Sequence, residues 1–407
     1  MKCGLLGRKL GHSYSPQIHA CLGDYSYALF EREPEDVEAF LLQGDFTAIN
    51  VTIPYKKAVM PYCKLTETAK YMGSVNTIIR QKDGTLLGHN TDYFGFTSMV
   101  QRSGLDPGGK KCLVLGSGGA SVTAVAVLKE MGADVVVISR SGENNYQNLH
   151  LHQDAAIICN TTPVGMYPNT GVSPVDLRLF PRLEGVLDMI YNPTRTQLLL
   201  DADDLGLTSS NGLWMLVAQA KEAAEWFLGK KLPDSMIEEV YIKMRLQMEN
   251  LILVGMPGCG KSTIGKQIAD TLEKTFVDAD AELENIYGCL IPEIFAQEGE
   301  SGFREKETAV LEQLGKRSGM VIATGGGCVT RKQNYPSLHQ NGRIFWLKRD
   351  LRQLPTDGRP LSQANSLDAM YQIRKPMYEY FCDVQVDNNR TAEETVKEIL
   401  KKWEDLK

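Results

Sequence analysis

Residues 255–263 read GMPGCGKST, directly after the apolar run LILV and directly before TIGKQIADTL. That order is strand, glycine-rich loop, helix. Glycines let a backbone wrap closely around phosphate oxygens, and the N–H groups at the following helix start supply positive potential. In such a loop Lys261 reaches the β- and γ-phosphates and Ser262 faces Mg²⁺. Gly258, Cys259, Gly260 and Thr263 complete the nucleotide cradle. A second glycine-rich turn, GSGGAS at 116–121, follows KCLVL far upstream. It suits a dinucleotide pyrophosphate rather than a triphosphate. Two such loops imply two chemistries, one redox and one phosphoryl transfer.

Bulk properties narrow the classes. A chain of 407 residues is too long for one ordinary core and suits two or three. The formal net charge of -6 argues against nucleic acid as a partner. No run of eighteen apolar residues occurs, so no membrane span is expected, and MKCGLLGRKL reads as a strand rather than a signal peptide. Nine cysteines, none in a CxxC pair, read as reduced and buried thiols of a cytoplasmic protein, Cys112 and Cys159 among them. The six histidines show no metal-ligand spacing.

The apolar pattern predicts a wholly α/β protein. Residues 1–102 alternate strands (KCGLL, SYALF, FTAINVTI, SVNTIIR) with helices near 15–22, 34–43 and 92–103. This is the expected substrate and catalytic domain, completed by helices around 213–235. Residues 103–212 carry the runs 111–116, 134–139, 154–160 and 185–190, nearly continuous in apolar character. They fit a parallel, Rossmann-like sheet covered on both faces. A short and helical linker is expected at 236–249, followed by a P-loop α/β domain with a parallel central sheet at 250–407.

Downstream of the P-loop, TFVDAD ends in Asp278 and Asp280. Ligands of parallel sheets bind at such carboxyl ends. One carboxylate can hold Mg²⁺ through water, and the other can orient an acceptor hydroxyl. Arg304 follows in GESGFREKET, and Gly325, Gly326 and Gly327 follow the strand MVIAT. Arg359 lies in the polar segment PTDGRPLSQAN, which reads as a lid, and Arg374 lies in the helix after it. Three arginines and an aspartate make a pocket for a small, anionic, hydroxylated acceptor, because the guanidinium fork matches a carboxylate. Residues 250–390 resemble shikimate kinase, carried by GMPGCGKST, DAD, FREKE, GGG, GRPL and RKPMY. The resemblance implies that Asp280, Arg304, Arg374 and the Gly325–Gly327 turn bind shikimate. It further implies that Asp278 and Ser262 stand on the magnesium side, and that Lys261, Asp280 and Arg359 act in transfer from ATP.

In the first part, Lys56 follows INVTIP and Asp92 starts the helix TDYFGF. A lysine and an aspartate facing one pocket can exchange a proton with a carbonyl oxygen while hydride moves. Ser13, Ser15, Asn50, Thr52, Asn76, Asn90 and Gln219 are polar groups near element ends and suit a polyhydroxylated ring. Gly116, Gly118 and Gly119 open the dinucleotide turn, although Ser121 breaks the full GxGxxG. The next strand ends in Ser139, Arg140 and Ser141, where an acid would select NAD. Arginine there favours the 2′-phosphate of NADP.

Residues 1–235 resemble shikimate dehydrogenase through GHSYSPQIH, NVTIPYK, SVNTI, HNTDYFG, GSGGAS, SRS, NTTPVGMYP, DMIYNPTRT and NGLWMLVAQA. The resemblance implies Lys56 and Asp92 as the catalytic pair. It implies shikimate contacts from the polar residues above, and NADP contacts from Ala120, Arg140, Thr161, Met189, Tyr191 and Gly212. Ala20, Ser121–Val122 and SRS depart from the family's more frequent residues without removing a catalytic group.

Together the resemblances imply a bifunctional enzyme. Its first half reduces 3-dehydroshikimate to shikimate with NADPH. Its second half phosphorylates shikimate to shikimate 3-phosphate with ATP and Mg²⁺, consecutive steps toward chorismate and the aromatic amino acids. Three competing readings stand beside it. One is a quinate-accepting dehydrogenase that also uses NAD; another is a kinase with a binding-only first half; the third, a purely structural or interaction protein, leaves two cofactor loops without a use. The assembly is expected to be a monomer or a homodimer.

Overall fold

The computed structural model describes residues 1–11, 13–354 and 367–405, and among these sixteen short strands fall into three sheets. Contacts divide the chain into two units. One comprises Met1–Val164, Ser173–Tyr191 and Asp201–Met244; the other comprises Gly165–Val172, Asn192–Leu200 and Arg245–Lys407.

The first unit holds two sheets. The strands of the first are β1 (Lys2–Gly7), β2 (Ser26–Glu31), β3 (Ala48–Val51), β4 (Lys64–Leu65), β5 (Thr77–Arg80) and β6 (Leu86–His89). Their order is β2-β1-β3-β5-β6-β4, with β1 parallel to β2 and β3 and with β5 antiparallel to both its neighbours. Strands β4 and β6 and the helix Glu67–Met72 are absent from the sequence reading. At two, four and six residues they are too short to show a period.

The second sheet is wholly parallel. It comprises β7 (Lys111–Leu115), β8 (Asp134–Ile138), β9 (Ile157–Asn160), β10 (Gly185–Asp188) and β11 (Thr208–Ser210), ordered β11-β10-β9-β7-β8. From β7 the chain moves to β8 on one side and then to β9 on the other. That reversal opens a crevice at the carboxyl ends of β7 and β9, the usual seat of a dinucleotide. The glycine turn 116–119 lies there and leads into the helix Gly119–Glu130.

The helices Asp92–Ser103 and Leu213–Leu228 cross at Gly95. A Cβ on Gly95 would lie 2.8 Å from the Met215 carbonyl oxygen and 2.9 Å from Gln219 Cβ. Only glycine permits this approach, which brings Gln219 beside the start of the Asp92 helix.

The second unit has one parallel sheet. Its strands are β12 (Asn250–Val254), β13 (Thr275–Asp278), β14 (Met320–Ala323), β15 (Gly342–Lys348) and β16 (Val384–Asp387), in the order β13-β14-β12-β15-β16. The P-loop follows the central strand and ends in the helix Lys261–Leu272. Strands β12, β14 and β15 are almost wholly buried, which is why they read as unbroken apolar runs. Phe345, Trp346 and Trp403 anchor this core, each buried side chain contributing about 1.5–3 kcal/mol.

Residues 236–249 lie in the helix Ser235–Met248 and the single residue before β12. All nine cysteines are free thiols, and Cys112 and Cys159 are fully buried. Among the described residues no helix is long and apolar enough to cross a membrane.

Candidate active sites

The first unit contains a cavity of about 570 Å³ lined by Ser13, Ser15, Asn50, Thr52, Lys56, Asn76, Asp92 and Gln219. Ala120, Met189, Tyr191 and Gly212 complete its wall toward the nucleotide crevice. Lys56 Nζ lies 2.6 Å from Asp92 Oδ2. The other carboxylate oxygen, Oδ1, accepts from Asn76 Nδ2 at 3.0 Å. Asp92 is thus fixed from two sides, and the partly exposed ammonium faces the cavity.

Asn90 is placed differently from the other polar candidates. It is 1% exposed and does not line the cavity. Its Oδ1 accepts from the backbone N–H of Asp92 and Tyr93 at 3.0 and 3.4 Å. These are free donors at a helix start, so Asn90 serves as a cap. Its Nδ2 donates to the carbonyl and hydroxyl oxygens of Ser74. Asn90 therefore acts on the orientation of Asp92 from behind.

A buried polar layer continues beneath the cavity. Tyr27 donates to Asn50 Oδ1 at 2.8 Å, and Asn50 Nδ2 donates to the Asn76 carbonyl and Thr77 Oγ1. His19 stacks on Tyr27 with ring centroids 4.1 Å apart, and its Nδ1 pairs with the Tyr25 hydroxyl. Burial pushes the His19 pKa down to about 3, so this layer is uncharged at neutral pH. Thr91 Oγ1 donates to Gln219 Oε1 at 3.2 Å. Sequence reasoning missed Tyr27, Ser74 and Thr91 as supports. Their bonds join residues 16 to 128 positions apart, and no local pattern marks them.

Around the nucleotide crevice, Gly116 has φ +105°, a conformation that requires glycine. A Cβ on Gly118 or Gly119 would meet nothing within 4 Å, so the turn is open to an approaching ligand. Thr161 ties the next strand end to this turn by donating to the Leu115 carbonyl at 2.6 Å. Ser139, Arg140 and Ser141 follow β8; Arg140 is exposed and has no ion-pair partner among the described residues. An open pyrophosphate turn with a free guanidinium on the adjacent strand end fits a phosphorylated dinucleotide.

The second unit contains a cavity of about 740 Å³. Gly258, Gly260, Lys261, Ser262 and Thr263 line one part, and Asp278, Asp280, Arg304, Gly325–Gly327 and Arg374 line the other. Cys259 is fully buried and does not line it. Arg359 lies outside the described residues.

Lys261 Nζ donates to the carbonyl oxygens of Gly255 and Met256 at 2.9 and 3.1 Å. Ser262 Oγ donates to Asp278 Oδ2 at 2.5 Å. Asp278 Oδ1 meanwhile caps the helix Ala279–Tyr287 through the N–H groups of Asp280 and Ala281. One hydroxyl and one fixed carboxylate make a fitting half-shell for Mg²⁺, which ordinarily takes one or two carboxylates and completes its shell with water and phosphate.

Asp280 faces the acceptor side. Burial, with the nearby Glu307 and Asp278 carboxylates, pushes its pKa up to about 6 against the pull of Lys261 and Arg304. Arg304 Nη1 pairs with Glu307 Oε2 at 2.7 Å, and Arg374 Nη1 donates to the Gly326 carbonyl at 3.2 Å. A side chain on any of the three glycines would press on the site, and on Gly326 it would lie 2.7 Å from the Pro257 ring. A Cβ on Gly325 would lie 2.6 Å from Glu307 Oε1, and one on Gly327 would lie 2.1 Å from Arg304 Nη2. Glu307 and Tyr378 stand within FREKE and RKPMY but have no role in the sequence reading. Here Glu307 holds Arg304, and the Tyr378 hydroxyl donates to the Gly326 carbonyl.

Comparison with known proteins bears on the family of each part. Residues 257–404 match the family model for shikimate kinase, and residues 5–78 match that for the shikimate dehydrogenase substrate binding domain. A shikimate dehydrogenase (NADP(+)) of Clostridium perfringens strain SM101 is 38% identical over 267 residues, covering 60% of this chain and 97% of that relative. The solved structure of shikimate dehydrogenase 1 from Peptoclostridium difficile is 36% identical, covers 60% of this chain and 98% of its own, and has a TM-score of 0.55. A Thermus thermophilus shikimate 5-dehydrogenase, solved in complex with NADP(H) and shikimate, is 29% identical. It covers 60% of this chain and 99% of its own, at a TM-score of 0.55. The chain belongs to the shikimate dehydrogenase family, and the part that follows matches the shikimate kinase family model, consistent with a bifunctional fusion.

Proposed function

We propose that the first unit reduces 3-dehydroshikimate to shikimate with NADPH, and that the second transfers the γ-phosphoryl group of ATP to the 3-hydroxyl of shikimate with Mg²⁺. The observation that carries the first half is the Lys56–Asp92 pair at 2.6 Å in a cavity walled by neutral hydrogen-bonding groups. The bound dinucleotide supplies the hydride. Lys56 hands a proton to the carbonyl oxygen, which becomes the new hydroxyl, and Asp92 stabilises the ammonium and holds it in place. Ser13, Ser15, Thr52 and Gln219 orient the ring. Asn50 and Asn76 fix that wall, and Arg140, flanked by Ser139 and Ser141, selects the 2′-phosphate.

In the second half ATP, with Mg²⁺ beside Ser262 and Asp278, supplies the phosphoryl group. Arg304 and Arg374 hold the acceptor's carboxylate. Asp280 accepts from the attacking hydroxyl and orients it toward the P-loop. Lys261 leaves its loop carbonyls to neutralise phosphate charge. Positioning and electrostatics of this kind account for most of phosphoryl-transfer catalysis. Arg359 is assigned to the nucleotide side by its place in GRPL.

The division proposed is 1–102 with helices around 213–235, then 103–212, then 250–407 after a helical junction at 236–249. Nine free thiols fit a reducing, cytoplasmic setting. The test supplies purified full-length protein with 3-dehydroshikimate, NADPH, ATP and Mg²⁺, omitting each cofactor in turn. Shikimate 3-phosphate is expected only when both cofactors are present. Shikimate accumulating with ATP unused would remove the kinase assignment. Phosphorylation of added shikimate without NADPH oxidation would reduce the first unit to a binding module.

A further inference from the structure

One cation at the rim of the P-loop has no role in the reaction as derived above. Strand β15 lies directly beside β12, and both run in the same direction toward the nucleotide loop. The residue after β15 is Arg349. A Cβ built on Gly260 would lie 3.8 Å from Arg349 Nη1 and 3.0 Å from Asn388 Nδ2. The guanidinium and this amide therefore flank the glycine that precedes Lys261.

Asn388 is accounted for by its bonds. Its Nδ2 donates to the Cys259 carbonyl at 2.6 Å, its Oδ1 accepts from Thr395 Oγ1 at 2.8 Å, and its N–H donates to the Lys348 carbonyl at 2.7 Å. It braces the loop from outside and fixes the chain direction at Lys348, just before Arg349.

Arg349 is not accounted for in this way. Its Nε is buried without a hydrogen-bond partner, and no carboxylate pairs with its charge among the described residues. The adjacent acid, Asp350, is engaged by Arg352 through both carboxylate oxygens. A buried guanidinium N–H without an acceptor is unfavourable unless a ligand provides one. The P-loop beside it is built for a phosphate chain, and guanidinium is the side-chain group best matched to phosphate oxygens. Lys261 meanwhile points its ammonium at loop carbonyls, which leaves Arg349 as a positive group at this rim with no anionic partner among the described residues.

We propose that Arg349 is a phosphate-binding residue of the kinase site, contacting the nucleoside triphosphate from the β15 side of the P-loop. The proposal rests on the kinase reading above. In its terms Lys261 and Arg349 approach the phosphate chain from two strand ends, and Asn388 is a positioning residue that keeps Gly260 and Arg349 in register.

The test uses Arg349→Gln and Arg349→Lys in the full chain, with KM measured separately for ATP and shikimate and with displacement of a fluorescent ADP analogue. Arg349→Gln is expected to raise the ATP KM about tenfold or more, as loss of a charged hydrogen bond predicts, while the shikimate KM stays unchanged. Arg349→Lys is expected to recover much of that loss, because it restores the charge. An unchanged ATP KM in Arg349→Gln would overturn the proposal, as would an equal rise in both KM values. A lysine variant as weak as the glutamine variant would overturn the phosphate assignment. If the wild-type protein phosphorylates nothing, the kinase reading fails instead. The fluorescent ADP displacement then still reports whether Arg349 binds nucleotide.

Discussion

Lys56 Nζ and Asp92 Oδ2 stand 2.6 Å apart, although 36 residues separate them in the chain. The turn after β3 supplies the ammonium, and the first turn of the helix Asp92–Ser103 supplies the carboxylate. Lys56→Ala is expected to lower dehydrogenase kcat by about 10²-fold or more, the usual scale of a lost general acid. ATP-dependent phosphorylation of added shikimate should stay at the wild-type rate. Steady-state assays of both reactions on one preparation check this, and parallel loss of both would point to misfolding.

Asn90 is predicted to act through Asp92 rather than through substrate. Asn90→Ala removes the acceptor for two helix N–H groups and should cost about 1–2 kcal/mol of stability in the first unit. The urea midpoint should fall, and dehydrogenase kcat should fall while the NADPH KM holds. A large rise in the KM for 3-dehydroshikimate at unchanged kcat would instead make Asn90 a direct substrate contact.

Arg140→Gln should raise the NADPH KM about tenfold or more, as expected for a lost charged contact to phosphate. The NADH KM and the KM for 3-dehydroshikimate should change little. The ratio of the two cofactors' kcat/KM values is the readout. A ratio equal to the wild type would exclude Arg140 from 2′-phosphate recognition and would favour the NAD-using alternative.

The kinase reaction should lose efficiency on the acid side. Asp280, pushed up to about 6 by burial and the neighbouring carboxylates, is a charged acceptor able to draw the proton of a hydroxyl only when ionised. kcat/KM for shikimate should therefore fall as pH drops through about 6 and level off above it. Glu307→Gln removes one neighbouring carboxylate and should move that limb to lower pH. It should also raise the shikimate KM, because Arg304 loses its 2.7 Å partner. A limb that stays in place would assign the titration to another group.

The parts of this molecule legible in its sequence are those governed by local rules. Near-continuous apolar runs mark the buried parallel strands β7, β9, β12 and β14, because both faces of each are covered. GSGGAS and GMPGCGKST mark the two nucleotide turns, because backbone wrapped that tightly needs glycine. For Asn90 the sequence offered both roles, a turn or cap residue taken singly and a ring contact by resemblance, since asparagine before a helix looks the same whether it caps or binds. The pairing of Glu307 with Arg304 was not legible. An acid three residues after an arginine on a helix is usually a solvated surface pair, and only burial shows otherwise. Gly95 reads as a weak point in a helix until the crossing helix appears against it.

The carbonyl partners of Lys261 bear on what nucleotide would add to the kinase half. With its ammonium held by the carbonyls of Gly255 and Met256, the loop satisfies its own buried charge. Phosphate oxygens would therefore exchange with partners the lysine already has, instead of being the first it finds. Heat stabilisation by ATP would accordingly report occupancy of a finished site rather than rescue of an unfinished one.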